Sequence, residues 1–270
     1  MDRVLLFRDS TSIHRFRLQC TGSLLHDSLL DRWICTAVRR NVVELDLSMG
    51  NYCPYRNSSV DDYSRRKILE LPKSLFKCNT LVKLKLLMDP KISANNAPTS
   101  SDGFPSLKFL YVILHYPNSN SVEKLISCCA ALEDLVIDGE IEVVNIGAHR
   151  FNLKISAPKV KRLQISLQLD DLSSRDINCH CRTYIDANVP NLEELDICYD
   201  FLVSYSFMNV KFLSKVKIDF KIPGIFVGHT PLNPFFGHAD RVRRLFVEIS
   251  HVKHLSISTY MLMVSTLQLV

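Results

Sequence analysis

The sequence offers few residues with the types and spacing of a metal or catalytic site. The most suggestive cluster is Cys179-His180-Cys181, because thiolates and imidazoles are the ligands that zinc prefers. A structural zinc ion needs about four such ligands, usually from two closely spaced pairs. No second pair stands at a useful distance, since the next cysteine is Cys198, inside a strand-like segment. We therefore interpret the cluster as part of a loop and expect no bound metal.

Other catalytic patterns are missing from the sequence as well. The nine histidines form no His-Glu-x-x-His pair, and the eight glycines form no phosphate-binding loop. We expect neither enzymatic activity nor a cofactor. The net charge of +5 comes from 33 basic and 28 acidic residues that are interspersed along the chain. Because phosphate contacts need uncompensated positive charge, we expect no nucleic-acid partner either.

The cysteines and the apolar runs indicate an intracellular protein. The nine cysteines are odd in number and irregular in spacing, and the 270-residue chain far exceeds disulfide-dense secreted scaffolds. The first ten residues contain too short an apolar run for a signal peptide. No apolar run approaches the roughly 18 residues of a membrane-spanning helix. We expect reduced thiols and a location in the cytoplasm, the nucleus or both, without a membrane partner.

Apolar residues recur in one fixed template: apolar, two free positions, apolar, one free position, apolar. Ten triplets fit it: Ile13-Phe16-Leu18, Val42-Leu45-Leu47, Leu81-Leu84-Leu86, Leu107-Leu110-Val112, Leu132-Leu135-Ile137, Val160-Leu163-Ile165, Leu192-Leu195-Ile197, Leu213-Val216-Ile218, Val242-Leu245-Val247 and Val252-Leu255-Ile257. The first nine begin about 29 residues apart on average, which is typical of leucine-rich repeats. Each unit supplies one parallel strand and a return segment, and stacking of the units buries the apolar face.

The segments between these triplets carry weaker signals. A small or apolar residue stands three positions before many of the triplets: Cys78, Phe104, Cys129, Ala157, Val189, Val210 and Ala239. Two stripes with helical spacing predict helices: Leu29, Leu30, Trp33, Ile34, Ala37 and Val38, then Val122, Leu125, Ile126 and Cys129. Long polar stretches at 50–66, 90–103 and 170–188 predict loops.

The prediction is therefore an α/β protein, a leucine-rich-repeat solenoid of ribonuclease-inhibitor type. It has a curved parallel sheet, with irregular helices or loops on the outer face. We expect one domain over residues 1–270, built from about ten irregular units.

Four blocks of the sequence resemble a known family. They read "RWICTAVRRNVVELDLS", "ELPKSLFKCNTLVKLKL", "VEKLISCCAALEDLVIDG" and "ISAPKVKRLQI". Together they resemble, in order, the leucine-rich-repeat region of plant F-box proteins of the F-box/LRR/FBD type. No F-box is recognisable in this chain, and the C-terminal FBD segment is expected to be absent or truncated.

The resemblance implies a protein-recognition role. It implies that these repeats hold the substrate of an SCF-type E3 ubiquitin ligase. A Skp1-like adaptor would then bind only if a longer form supplies the F-box. The alternative is a truncated, stand-alone protein-binding module, or a fragment without function, in either case without a ligase.

The free positions of the template predict which side chains leave the core. The residues just before the last two apolar sites point to the open face of the sheet. Along this face the charges alternate in sign from strand to strand, as in Arg15, Glu44 and Lys83. Opposite charges on adjacent strands attract by roughly 0.2–1 kcal/mol, so one interpretation is a solvated face that pairs its own charges.

Two interruptions of the alternation suggest contact surfaces instead. Aromatic and apolar residues beside charges are typical interface anchors. The central interruption contains Lys83, Lys85, Phe109, Tyr111, Asp134 and Val136. The second is a basic C-terminal end that includes Arg244 and Phe246, next to Lys215 and Lys217, and it would face an acidic partner or a further C-terminal segment. The candidate protein-contact residues are Lys83, Lys85, Phe109, Tyr111, Asp134, Val136, Arg244 and Phe246.

Overall fold

The structure is a computed structural model of the chain. It describes residues 12–20, 27–49, 68–88, 91–93, 103–115, 119–141, 151–169, 183–199, 203–220 and 239–258. The chain divides into two compact units, Met1–Asp134 and Leu135–Val270. Within the described ranges, none of the helices has the length and apolar character needed to cross a membrane. The prediction of a single domain stays a prediction.

Short strands dominate both units. The strands are β1 (Arg15–Cys20), β2 (Glu44–Met49), β3 (Ile68–Glu70), β4 (Lys83–Met88), β5 (Lys91–Ser93), β6 (Phe109–His115), β7 (Asp134–Ile141), β8 (Asn152–Ser156), β9 (Arg162–Leu169), β10 (Thr183–Asn188), β11 (Glu194–Tyr199), β12 (Val203–Met208), β13 (Lys215–Phe220) and β14 (His254–Ile257). The helices are α1 (Asp27–Arg39), α2 (Lys73–Phe76), α3 (Ser119–Ser127) and α4 (Ala239–Glu248).

Nine of the ten template triplets form strands, and each of these strands begins two residues after its first template residue. In the first eight of these template strands, β1, β2, β4, β6, β7, β9, β11 and β13, every template residue is buried. Ile13, the first of these residues, is 4% exposed, and Ile218, the last, is 1% exposed. Full burial of one such side chain contributes about 1.5–3 kcal/mol. The repeated apolar triplet is therefore the main source of the core, and the leucine-rich-repeat fold is confirmed.

In the first unit, β1, β2, β4 and β6 form a parallel sheet in that order. The register keeps equivalent template positions side by side, so that Arg15, Glu44, Lys83 and Phe109 align across the four strands. Strands β3 and β5 form a separate parallel pair. The predicted helices are confirmed as α1 and α3, which bury Ile34 and Leu125 respectively.

The second unit contains two parallel sheets. One has the strand order β7-β9-β11-β13-β14, and the other has the order β12-β10-β8. The smaller sheet alternates buried and less buried residues, as in Ile185 and Asp186 of β10. Of its three strands, β10 falls within a segment that the sequence predicted to be a loop, 170–188.

A hydrogen-bonded turn leads into most template strands. The backbone carbonyl of the buried residue three positions before the triplet accepts a hydrogen bond from the N–H of the first template residue. The pairs are Leu107 to Phe104, Leu132 to Cys129, Val160 to Ala157, Leu192 to Val189 and Leu213 to Val210, at 3.0–3.3 Å. Five of the seven residues predicted before the triplets are thus the acceptors that close these turns.

The prediction of a strand at Val242-Leu245-Val247 is wrong. This segment belongs to helix α4, in which Leu245 and Ile249 are buried at 1% and 2% exposure while Val247 is 66% exposed. The spacing of Leu245 and Ile249 is helical, and the first two positions of the strand template also fit a helix. Ala239, predicted as the residue before this triplet, is the first residue of α4, and the turn into β14 is closed by Ile249, whose carbonyl accepts from Val252 N at 3.1 Å.

Two of the predicted loops contain strands, so the loop prediction is wrong there. Strand β5 lies within 90–103 and strand β10 lies within 170–188. In β10, Thr183, Ile185 and Ala187 are buried at 4%, 0% and 0% exposure, which is the alternation of a strand with one packed face. The average polarity of the long segment concealed this short alternation. The segment 51–66 lies outside the described residues.

Candidate functional site

The open face of the first unit carries two aligned rows of side chains. The first row contains Arg15, Glu44, Lys83 and Phe109, and the second contains Arg17, Asp46, Lys85 and Tyr111. These residues alternate with the buried template residues along each strand, as the period of a strand requires. The predicted succession of basic, acidic and basic strands is therefore confirmed for β1, β2 and β4.

Most of the charges in these rows are paired within the unit. Glu44 lies between two cations, with Oε1 at 3.0 Å from Lys83 Nζ and Oε2 at 3.7 Å from Arg15 Nε. Asp46 Oδ2 lies 3.4 Å from Arg17 Nε. The hydrogen bond from Lys83 holds the pKa of the Glu44 carboxyl below its ordinary value, and the charges of Lys83 and Arg15 act in the same direction.

The second unit also pairs charges across its open face. Lys215 Nζ lies 3.3 Å from Glu194 Oε2, and Lys217 Nζ lies 3.4 Å from Asp196 Oδ2. Both pairs join β11 to β13 at directly aligned positions. For these strands the interpretation of a self-paired, solvated face describes the geometry.

Lys85 departs from this pairing. It aligns with Asp46 on one side and with Tyr111 on the other. Its Nζ lies 5.9 Å from the centroid of the Phe109 ring and 6.0 Å from that of Tyr111, which is at the outer limit of a cation–π contact. In the part of the chain that the structure describes, Lys85 makes no ion pair. Both rings are half-buried.

A third outward row, which the sequence analysis missed, adds aliphatic side chains next to the two aromatic rings. It contains Gln19, Ser48, Leu87 and Ile113, aligned across β1, β2, β4 and β6. Leu87 and Ile113 are half-buried and stand side by side. The template ended one position too early to include them, although the alternation along β4 and β6 continues. We call Lys85, Leu87, Phe109, Tyr111 and Ile113 the β4–β6 patch.

The remaining predicted contact residues lie elsewhere. Lys83 is engaged with Glu44 beside the patch. Asp134 ends the first unit, where its N–H donates to Lys108 O at 2.9 Å. Val136 is half-buried on β7, in the second unit.

Arg244 and Phe246 do not lie on the open face of a sheet, contrary to the prediction. Both belong to helix α4, because their segment follows helical and not strand spacing. Lys215 and Lys217, the other members of the predicted basic end, already face carboxylates. The structure therefore does not assemble these four residues into one basic row.

Helix α4 is held by a contact that the sequence did not reveal. Glu248 Oε2 accepts a hydrogen bond from the backbone N–H of Phe207 at 2.8 Å, which joins α4 to β12. Burial raises the pKa of the Glu248 carboxyl, and the nearby Asp186 raises it further. The hydrogen bond from Phe207 opposes these effects in part.

Three of the six cysteines that the structure describes fit a packing role. Cys78, Cys128 and Cys129 are buried. Cys129 Sγ donates to Leu125 O at 3.2 Å, and burial raises the pKa of the Cys129 thiol well above its ordinary value. A buried thiol of this kind is unreactive. The Cys179-His180-Cys181 cluster lies outside the described residues.

Comparison with curated proteins identifies relatives in Arabidopsis thaliana. The F-box/FBD/LRR-repeat protein At2g26030 is 26% identical over 263 residues, which cover 96% of this chain and 54% of that protein. The F-box/LRR-repeat protein At4g14096 is 26% identical over 272 residues, which cover 98% and 49% respectively. The chain thus spans about half the length of these relatives. No solved structure is significantly similar to the chain.

A family comparison agrees with these relatives and with the repeat geometry. Residues 30–219 match the family described as FBD-associated F-box protein At5g56370, LRR repeats. This range includes β2, β4 and β6 and most of the second unit. Because the match covers more than half of the chain, the chain belongs to the family of leucine-rich repeats found in FBD-associated F-box proteins.

Proposed function

We propose that the first unit binds a protein partner through the β4–β6 patch. The observation that carries the proposal is the contrast on one sheet face. Glu44 and Asp46 are paired with cations of adjacent strands, whereas Phe109 and Tyr111 remain half-buried beside a lysine without an ion pair among the described residues. Aromatic side chains with a charged neighbour supply most of the energy of many protein interfaces.

The patch has the chemical make-up of an interface centre. Its apolar area comes from Phe109, Tyr111, Leu87 and Ile113. Lys85 provides one positive charge, 5.9 and 6.0 Å from the centroids of the two rings. Paired charges surround this area on the β2 side. An apolar centre with a polar rim is typical of protein–protein contacts. Enzymatic activity and a cofactor have no part in this proposal.

The wider proposal concerns the protein to which such repeats belong. We propose that this region holds the substrate of an SCF-type E3 ubiquitin ligase, in the cytoplasm or the nucleus. A Skp1-like adaptor would bind only to a form that includes an F-box. Membership of the family and the F-box names of the longer relatives support this proposal.

Adaptor capture tests the wider proposal. The 270-residue chain and a form extended upstream through an F-box are each immobilised and offered purified Skp1-type adaptor. We expect only the extended form to retain adaptor. Failure of the extended form to retain it would favour a stand-alone binding module and would leave the β4–β6 patch untouched as a contact surface.

A double substitution tests the patch. Phe109→Ala combined with Tyr111→Ala should remove a set of proteins from those captured in a plant extract, identified by mass spectrometry. Phe212→Ala is the matched control, because Phe212 is an aromatic residue with 64% exposure in the second unit. An identical set of captured proteins for all three forms would contradict the choice of site.

A further inference from the structure

We propose that the β4–β6 patch recognises an acidic, extended peptide segment in which Asp or Glu stands two residues from a bulky apolar side chain. This inference rests on the proposed function and adds the chemistry of the partner. It follows from three features of the first unit: the balance of its charges, the position of Lys85, and the spacing between Lys85 and the two aliphatic residues Leu87 and Ile113.

The charges on the open face of the first unit do not balance. On β1, β2, β4 and β6 the three aligned rows carry four cations against two carboxylates. They are Arg15, Arg17, Lys83 and Lys85 against Glu44 and Asp46. The corresponding rows on β9, β11 and β13 carry three of each sign. They are Arg162, Lys215 and Lys217 against Glu194, Asp196 and Asp219.

Asp134, the last residue of the first unit, adds a third carboxylate at the outward position of β7, which leaves one positive charge in excess on this face. A positive surface of this kind favours the approach and the orientation of a negatively charged partner. Of its four cations, Arg15, Arg17 and Lys83 already face a carboxylate at 3.0–3.7 Å. Lys85 is the cation left to meet a carboxylate from outside.

Lys85 is also placed where a carboxylate would be partly shielded from water. Its Nζ lies about equally far from the Phe109 and Tyr111 rings, at 5.9 and 6.0 Å. Although Asp46 is aligned with Lys85, the two form no ion pair, and Asp46 Oδ2 faces Arg17. An incoming carboxylate at Lys85 would gain from the lower local dielectric that the rings provide.

The spacing within the patch sets the spacing within the partner. Leu87 and Ile113 follow Lys85 and Tyr111 by two residues along β4 and β6, which is about 7 Å in a strand. In an extended peptide, side chains on one side also recur every two residues, about 7 Å apart. A segment that runs along these strands can thus place a carboxylate at Lys85 and an apolar side chain on Leu87 and Ile113 together.

A random dodecapeptide display library tests the inference directly. The folded 270-residue chain is the bait, together with Lys85→Glu, Lys85→Arg and Lys217→Glu forms. Lys217 is the matched control because it holds the same template position in β13 and is paired with Asp196. Thermal unfolding followed by circular dichroism shows that each bait is folded.

We expect the unmodified chain to enrich acidic peptides with an apolar residue two positions from the acid. The Lys85→Arg and Lys217→Glu forms should enrich the same peptides, and Lys85→Glu should lose them or favour basic ones. A synthetic peptide from the enriched set should bind Lys85→Glu at least about tenfold more weakly, measured by fluorescence anisotropy. That loss should shrink at high salt, where charge interactions are screened.

Several outcomes would overturn the inference. Enrichment of apolar peptides without an acidic preference would contradict the recognition of an acidic peptide, while the β4–β6 patch would remain a contact surface. Selection of the same peptides by Lys85→Glu and by the unmodified chain would also contradict the inference. Binding of a mixed-sequence oligonucleotide that is lost in Lys85→Glu, without peptide enrichment, would assign the charge excess to nucleic acid. If extract capture is also insensitive to Phe109→Ala with Tyr111→Ala, the proposed function fails as well.

Discussion

At the scale of single residues, Lys85 and Lys217 show that an aligned aspartate pairs with a lysine only where no other cation holds it, since Asp46 faces Arg17. Both stand at the second outward position of the template. Lys217 has an aspartate beside it at 3.4 Å, whereas Lys85 has two aromatic rings at about 6 Å. An exposed ion pair of the Lys217 type contributes about 0–1 kcal/mol to stability. Lys85 is therefore the lysine whose removal should affect binding more than folding.

Glu44 gives the first unit a stability contribution that depends on pH. The hydrogen bond from Lys83 lowers the pKa of the Glu44 carboxyl in the folded chain. A lowered folded-state pKa stabilises the fold above the ordinary value of the carboxyl, and this contribution is lost as the pH falls through the folded-state value. We expect Glu44→Gln to lower the urea midpoint of unfolding slightly at neutral pH. The difference in midpoint should be smaller at about pH 3 than at neutral pH.

A double-mutant cycle provides the control for Glu44. In a Lys83→Met background the hydrogen bond to Glu44 is gone, so Glu44→Gln should have a smaller effect at neutral pH. An effect of Glu44→Gln that is equal at both pH values, and equal with or without Lys83, would mean that this carboxylate does not stabilise the fold through its charge.

At the scale of secondary-structure elements, the strength of the sequence signal depended on how many units repeat it. Nine strands follow one apolar template, and their alignment predicted the alternation of charge that pairs Glu44 with Lys83. Strands β3, β5, β8, β10 and β12 do not follow this template, so no repetition along the chain marked them. Helix α4 was mistaken for a strand because the first two apolar positions of the template, three residues apart, also fit a helix.

Phe104 is the residue on which the entry into β6 depends. Its side chain is fully buried, and its ring centroid lies 5.0 Å from that of Phe76 in α2. Its backbone has a φ of 46°, and its carbonyl accepts the hydrogen bond that closes the turn to Leu107. We expect Phe104→Ala to lower the free energy of unfolding by about 3–5 kcal/mol, measured in urea.

The exposed Phe212 again supplies the comparison for Phe104. Because its ring is 64% exposed, Phe212→Ala should change the free energy of unfolding by less than about 0.5 kcal/mol. Similar losses for the two substitutions would show that the turn before β6 is not a packing centre of the first unit.

Glu248 makes the attachment of α4 dependent on pH in the direction opposite to that of Glu44. Burial raises the pKa of this carboxyl in the folded chain. The folded state therefore holds the proton more tightly than the unfolded state, and stability falls as the pH rises from the ordinary value through the folded-state value. Gln at this position keeps an acceptor for the Phe207 N–H without the buried charge.

Glu248→Gln should accordingly be more stable, relative to the unmodified chain, at about pH 7 than at about pH 4. Urea unfolding at the two pH values measures the difference. A relative stability that does not change between them would mean that Glu248 titrates in the folded chain as it does in the unfolded chain.

At the scale of the whole molecule, the interruption of a regular pattern indicated the site. The sequence placed Phe109, Tyr111 and Lys85 together, and the strand register does the same. It did not find Leu87 and Ile113, because the template described the core and stopped where the core positions ended. It also placed Arg244 on the sheet, since the apolar spacing of that segment did not reveal the α4 helix. The assignment of Val136 to the contact surface stays a prediction.

The most direct test of the account is the affinity of a purified partner, taken from the proteins whose capture depends on the β4–β6 patch. Its dissociation constant is measured by calorimetry for the unmodified chain, for Phe109→Ala with Tyr111→Ala, and for Phe212→Ala. We expect binding at least about tenfold weaker for the double variant, since loss of one interface anchor costs about 2 kcal/mol or more, and no change for Phe212→Ala. Equal affinity for all three forms would contradict the assignment of the β4–β6 patch as the binding surface.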